Sequence, residues 1–172
     1  MAGQRVRRVV TGHDARGRSV VVSDTTGEMQ GVLHEFWVTE GSPARWGGTA
    51  GPGPLPSNLE PPKQGTVVRF VEFQPNEGVS REELETRYSA SFAHIQASHT
   101  RVDTRRHPAM HKTKTVDYGI VLSGRIKLLM DEGEELLLEP FAVVIQRGTN
   151  HGWVNPGPGP ALMAFILIDA VE

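Results

Sequence analysis

The chain has 172 residues, a formal net charge of −2 at pH 7, no cysteine, 19 glycines and 12 prolines. That length suits one domain (1–172) with a core of its own. The near-neutral charge without long basic runs excludes an electrostatic footprint for nucleic acid or an anionic membrane, and the missing cysteine excludes disulfides, thiol catalysis and thiolate metal sites.

In chain order, Val6 to Thr11 and Ser19 to Val22 read as two strands around the turn-forming cluster Gly12–Gly17, in which Asp14 is expected to bond its own backbone. The short cluster Arg5, Arg7, Arg8 reads as a solvated edge. His34 to Thr39 is a third extended run. Residues 41–64 carry Gly-Ser-Pro, Gly-Gly, repeated Pro-Gly and Pro61-Pro62, which support neither ladder nor helix, so a long surface loop is expected. Disorder or a surface crossing is the expectation and a lid the sharper alternative; separately, Trp46 has the option of packing back onto the barrel. Thr66 to Phe73 alternates as a strand. Ser80-Arg-Glu-Glu83 has the form of a capping box, and Leu84, Tyr88, Ser91 or Phe92, and Ile95 follow at helical spacing, which predicts one helix from about Arg81 to Gln96.

Beyond His107, Gly119 to Asp131 is extended and alternating, with Gly124 interrupting it as a bulge or tight turn does. Asp131–Glu134 is a turn and Glu135–Glu139 the return strand. Phe141 to Ile145 and Trp153-Val154 follow as short strands, and Ala161 to Ile168 is apolar throughout, fit for a strand buried on both faces. Many short strands with one helix predict an antiparallel sandwich or barrel. No apolar run reaches membrane-spanning length and no signal-peptide core is visible, so a soluble cytoplasmic protein is expected.

The ends of the segment 107–155 carry the chemistry. His111, Thr113, Thr115 and Asp117 share parity on an extended segment, and His151 stands after a second apolar run. The bland alternative is the polar face of an exposed edge. His107, followed by Pro, reads as a loop residue; Lys112 and Lys114 have the opposite parity and are expected in solvent, as are Arg125 and Lys127. Tyr118 points away from Asp117 on a regular strand and is expected to be core, unless a bulge turns it inward.

The segment resembles the cupin family. His111 and Thr113 fall where motif one has its His pair, Asp117 where it has Glu, and Gly124 where it ends; Gly148, His151 and Asn155 fit motif two, with Gln146 in place of its Pro and Pro140 or Phe141 in place of its opening Gly. The resemblance implies an all-β fold, a double-stranded β-helix (jelly-roll barrel) with an N-terminal strand extension and one short helix, its core motifs spanning 105–170. It also implies a small-molecule site inside the barrel and a homodimer, the latter suggested too by exposed strand edges. In metal-binding members two His, a Glu and a third His hold one ion. Here Thr113 is a poor ligand, which leaves His111, Asp117 and His151 for a divalent Fe, Mn or Zn. The alternative is metal-free: Asp117 and an imidazole exchange protons with the substrate, as in lyases and isomerases. An Fe(II)-dependent dioxygenase and a non-catalytic ligand-binding protein remain as alternatives. Thr113, Gln146 and Trp153 are the expected substrate-binding wall, and no nucleotide or organic cofactor is indicated.

Overall fold

A computed structural model describes residues 5–28, 33–46 and 58–172. Among these residues, ten strands and one α-helix follow one another as β1 (Arg5–His13), β2 (Ser19–Glu28), β3 (Leu33–Thr39), β4 (Thr66–Phe73), α1 (Arg81–His94), β5 (Thr115–Ser123), β6 (Ile126–Met130), β7 (Leu136–Leu138), β8 (Val143–Arg147), β9 (His151–Val154) and β10 (Ala161–Asp169). They form a five-stranded sheet ordered β3-β4-β10-β5-β8, a three-stranded sheet ordered β7-β6-β9, and a separate β1-β2 hairpin. Among the described residues no helix is long and apolar enough to cross a membrane.

The apolar run Ala161–Asp169 takes the central place its composition demands. It pairs antiparallel with β4 on one side and β5 on the other, and its first five residues are all buried. Period-two alternation then fixes which side chains meet between the sheets. In register, Val67, Leu167, Asp117 and Gln146 form one row across β4, β10, β5 and β8; Arg69, Phe165, Gly119 and Val144 form the next. Val121, Met163, Phe165 and Leu167 from this sheet pack against Ile126, Leu128 and Trp153 from the other. Gly119 leaves the space that Phe165 fills, because a Cβ there would stand 3.0 Å from Phe165 Cε1.

The helix begins as expected, with the Ser80 hydroxyl accepting the Glu83 backbone N–H at 3.2 Å. It ends before Gln96. Gln96 adopts φ 54°, its N–H bonds to the Ala93 carbonyl and the Ala97 N–H to the Phe92 carbonyl, a Schellman closure with glutamine in the usual glycine place. Gly124 makes the tight turn between β5 and β6: its φ is 73°, and a Cβ would lie 2.6 Å from that of Ala161. At the motif-two opening the left-handed position belongs to Phe141, with φ 74° and 87% exposure.

Two expectations fail. Tyr118 does point away from Asp117, but it is 39% exposed rather than core. Trp46 is 86% exposed; it meets the His13 ring edge-on at 5.7 Å rather than the barrel. Residues 47–57 of the expected loop lie outside the described residues.

Asn155 locks the turn before β10. Its amide donates to the Phe73 carbonyl at 2.7 Å and the Gly159 carbonyl at 2.8 Å, and its carbonyl accepts the Gly157 N–H at 2.8 Å. Asn155→Ala strips three backbone groups, one buried and two half-buried, of their partner, so urea denaturation should show a loss of roughly 2–4 kcal/mol; a loss below about 0.5 kcal/mol would remove Asn155 from this structural role.

Candidate functional site

Backbone pairing brings the two imidazoles together. His151 opens β9 and pairs with Met130 of β6; its free edge takes His111 as an isolated antiparallel bridge. The two residues exchange both N–H···O bonds, at 2.8 and 2.9 Å. Directly opposed residues in an antiparallel pair project to the same face, and the rings lie 4.4 Å apart, centroid to centroid, tilted by 47°. Phe92 of α1 packs on His111 at 4.9 Å, and Trp153 meets His151 at 5.4 Å and Phe165 at 5.5 Å.

Each ring is held in one tautomer. His111 Nδ1 lies 2.9 Å from the Ala109 carbonyl and His151 Nδ1 lies 3.0 Å from the Thr149 carbonyl. A carbonyl only accepts, so Nδ1 carries the proton in both, and each neutral ring keeps its lone pair on Nε2. Burial keeps the rings neutral: it pushes His111 down to about 4, aided by Arg101, and His151 down to about 3, aided by His111.

Asp117 occupies the opposite sheet. It is 5% exposed, and burial pushes its carboxyl up to about 6 against the lowering effects of the Thr115 hydroxyl and the Arg69 charge. Its Oδ1 is buried without a hydrogen-bond partner. Thr113 and Thr115, both buried, share a 2.7 Å hydrogen bond, so the segment 113–117 is a line of three connected polar side chains. Gln146 stands across from Asp117 in register, but its amide nitrogen is turned to the Thr149 carbonyl and hydroxyl.

The three residues expected as metal ligands do not form one group in this geometry. Among the described residues no three His, Asp or Glu side chains group closely enough to hold an ion. His111 and His151 are adjacent, whereas Asp117 is tied into the threonine line. A third ligand is missing from the donor set, and the residues present do not fit the family's metal centre. Trp153, expected to contact substrate, belongs to the core, while Lys112 and Lys114 are exposed as expected. A surface hollow of about 270 Å³, lined by Asn58, Leu59, Glu60, Pro61, Gln96 and His99, lies outside this site.

The sequence reading missed Arg69, Thr115 as a partner of the acid, and Phe92. Arg69 was traceable: it shares parity with Val67 and Val71 in a cleanly alternating strand, which puts a charge on the core face. It is 1% exposed and donates to the Asn58 carbonyl at 2.9 Å. Phe92 gave no signal beyond helical spacing.

A polar cluster enclosed by two antiparallel sheets, reached by degenerate His-x-Thr and His…Asn motifs, defines a double-stranded β-helix protein. No profile of a known protein family matches the chain. It is 30% identical over 178 residues to a cupin-domain-containing oxidoreductase of Aspergillus ruber, across 96% of this chain and 73% of that protein. A second protein of that description, from Hypocrea virens, is 27% identical over 96% of this chain and 77% of its own length. Among solved structures, a double-stranded β-helix protein of Klebsiella pneumoniae aligns at TM-score 0.40 and 18% identity, over 61% of this chain and 68% of that one. The chain belongs to the cupin family.

The site predicts opposite pH signatures. An imidazole with a depressed folded pKa stabilises the fold fully above its unfolded value near 6.5 and loses that contribution as pH falls toward about 4 and about 3. Asp117, raised from 3.8 to about 6, contributes below 3.8 and loses that contribution as pH rises to about 6. Between these limits the two effects oppose one another. His151→Phe should flatten the rise of stability with pH, and Asp117→Asn should steepen it, each by about 1.4 kcal/mol per pH unit. Urea midpoints measured from pH 4 to 6 check this; shifts of the same sign in both variants would contradict it.

Proposed function

We propose that the chain is a small-molecule cupin enzyme in which Asp117 takes a proton from the substrate and returns it, in lyase or isomerase fashion. The observation that supports this is a buried carboxyl raised to about 6 with one oxygen unpartnered. Such a group changes protonation state near neutral pH and has an open position for a substrate proton. Thr115, hydrogen-bonded to Thr113, orients the carboxyl, and Arg69 stabilises its ionised form. The imidazoles, neutral and fixed in tautomer, bind and orient rather than titrate. No step is routed through a metal, because the donor set lacks a third ligand.

A second reading, oxidoreductase chemistry, is favoured by the names of the relatives from Aspergillus ruber and Hypocrea virens. The two differ in product: an isomerase conserves substrate mass, an oxidoreductase changes it by two hydrogens or by oxygen. Mass spectrometry of turned-over substrate separates them.

With a turned-over substrate in hand, Asp117→Asn should lower kcat by roughly 10²–10⁴-fold, and wild-type kcat/KM should show a limb near pH 6 that the variant lacks. Dialysis against a chelator should leave wild-type kcat within about twofold. Full activity in Asp117→Asn would sink the acid–base assignment, and a chelator-sensitive enzyme restored by added Fe, Mn or Zn would return the metal reading.

A further inference from the structure

The edge strand β8 is entered through a strained and exposed aromatic residue. β8 ends the order β3-β4-β10-β5-β8, so among the described residues no strand takes its outer side. Phe141 donates its N–H to the Val121 carbonyl, and Val121 donates its own to the Ala142 carbonyl. This is a bulge whose first residue turns left-handed and is ordinarily glycine. Here it is Phe141, at φ 74° and 87% exposed. A bulky residue in that region is strained, and its exposed ring gains no burial in return within the chain. Counting on from the bulge, Val144 and Gln146 turn their N–H and C=O groups to β5, and Val143, Ile145 and Arg147 turn theirs to the open side.

The side chains beside that open edge are apolar. Val143 and Ile145 are each more than half exposed, and on β5 Tyr118, directly opposite Ile145, and Leu122 continue the face. Exposed edges are ordinarily blunted by Lys, Pro or a charge, and residues 141–146 carry none. We propose that β8 pairs antiparallel with β8 of a second copy of this chain, about a two-fold axis at Val144, joining two five-stranded sheets into one. The strand is complementary to itself about that axis, as a two-fold interface requires. Val143 meets Ile145 of the second copy through the free edge groups, and Phe141 comes alongside the second copy's Arg147, an exposed guanidinium suited to an aromatic face. An axis at Ile145 would instead set Val143 against Arg147. Five apolar side chains, two of them aromatic at about 150–250 Å² apiece when covered, together with the edge backbone reach the scale of the roughly 800 Å² per partner of a specific interface. Gln146 faces inward from the same strand, opposite Asp117, so the joined edge braces one wall of the site. The pairing stands independently of the acid–base reading.

Sedimentation equilibrium of the full chain, at concentrations on the order of 10 μM, should give twice the chain's 18.8 kDa. Ile145→Lys, outward on the edge and away from the core, should weaken the dimer by at least about tenfold. Phe141→Gly relieves the left-handed strain, so it should weaken the dimer on the order of tenfold while leaving the monomer no less resistant to urea. The chain has no cysteine, so one introduced thiol reports the register. Val144→Cys should form an intermolecular disulfide on mild oxidation, because Cα atoms opposed at a non-hydrogen-bonded pair lie about 4.5 Å apart. Arg147→Cys should not, its two copies standing roughly 20 Å apart along the paired strands. Any mass other than that of two chains, a dimer unchanged by Ile145→Lys or by Phe141→Gly, or cross-linking through position 147 rather than 144 would overturn the proposal.

Discussion

Two backbone hydrogen bonds between His111 and His151 are the constraint on which the site depends. They add one residue to the free edge of β9, and that residue is an imidazole. Neither side chain chooses its neighbour; the opposition of a hydrogen-bonded antiparallel pair imposes it. The carbonyls of Ala109 and Thr149, each two residues back in the chain, then fix both tautomers. The ring positions are thus set by main chain at two levels, each a hydrogen bond that fixes the side chain through its backbone or its Nδ1.

The interior carries polar groups that an apolar core would exclude: Arg69, Thr113, Thr115, Asp117, Gln146 and His151 are all buried. They stand among Trp153, Phe165, Met163 and Leu167, which supply the apolar burial that offsets their desolvation. Partial satisfaction is a signature of function rather than of stability, because a fully paired network would offer nothing to a ligand. Among the described residues, the Asp117 Oδ1 atom is buried without a hydrogen-bond partner.

Much of this was legible in the sequence, for definite reasons. Thr66–Phe73 and Ala161–Ile168 declared themselves because alternation and continuous apolarity are strong periodic signals, and the helix start was readable from one Ser and one Glu. The helix end was not, because a left-handed glutamine carries no glycine to mark it. His111, Asp117 and His151 were found by motif spacing, yet spacing says nothing of reach. It placed three residues on facing strands and left unstated that Asp117 stays within its own strand's hydrogen bonds. Trp153 looked like pocket wall by proximity to His151, but its ring closes against Phe165 as core.

The two departures from the family's first motif act as one change. Replacing an imidazole by Thr113 removes a lone pair that an ion needs and supplies a hydroxyl, which bonds Thr115 at 2.7 Å. Replacing Glu by Asp117 shortens the side chain by a methylene, and the shorter carboxyl is held beside Thr115 instead of reaching toward the imidazoles. Thr113 without Asp117 would leave a carboxylate extended toward two histidines, three donors where the family's four-ligand members have four. Asp117 without Thr113 would leave a third imidazole where the threonine line begins. Together they leave a buried acid beside Thr115 on one sheet and a pair of neutral imidazoles at the edge of the other. That separation lets burial raise the carboxyl while keeping the imidazoles uncharged, two shifts that a direct Asp–His contact would oppose by favouring the ion pair.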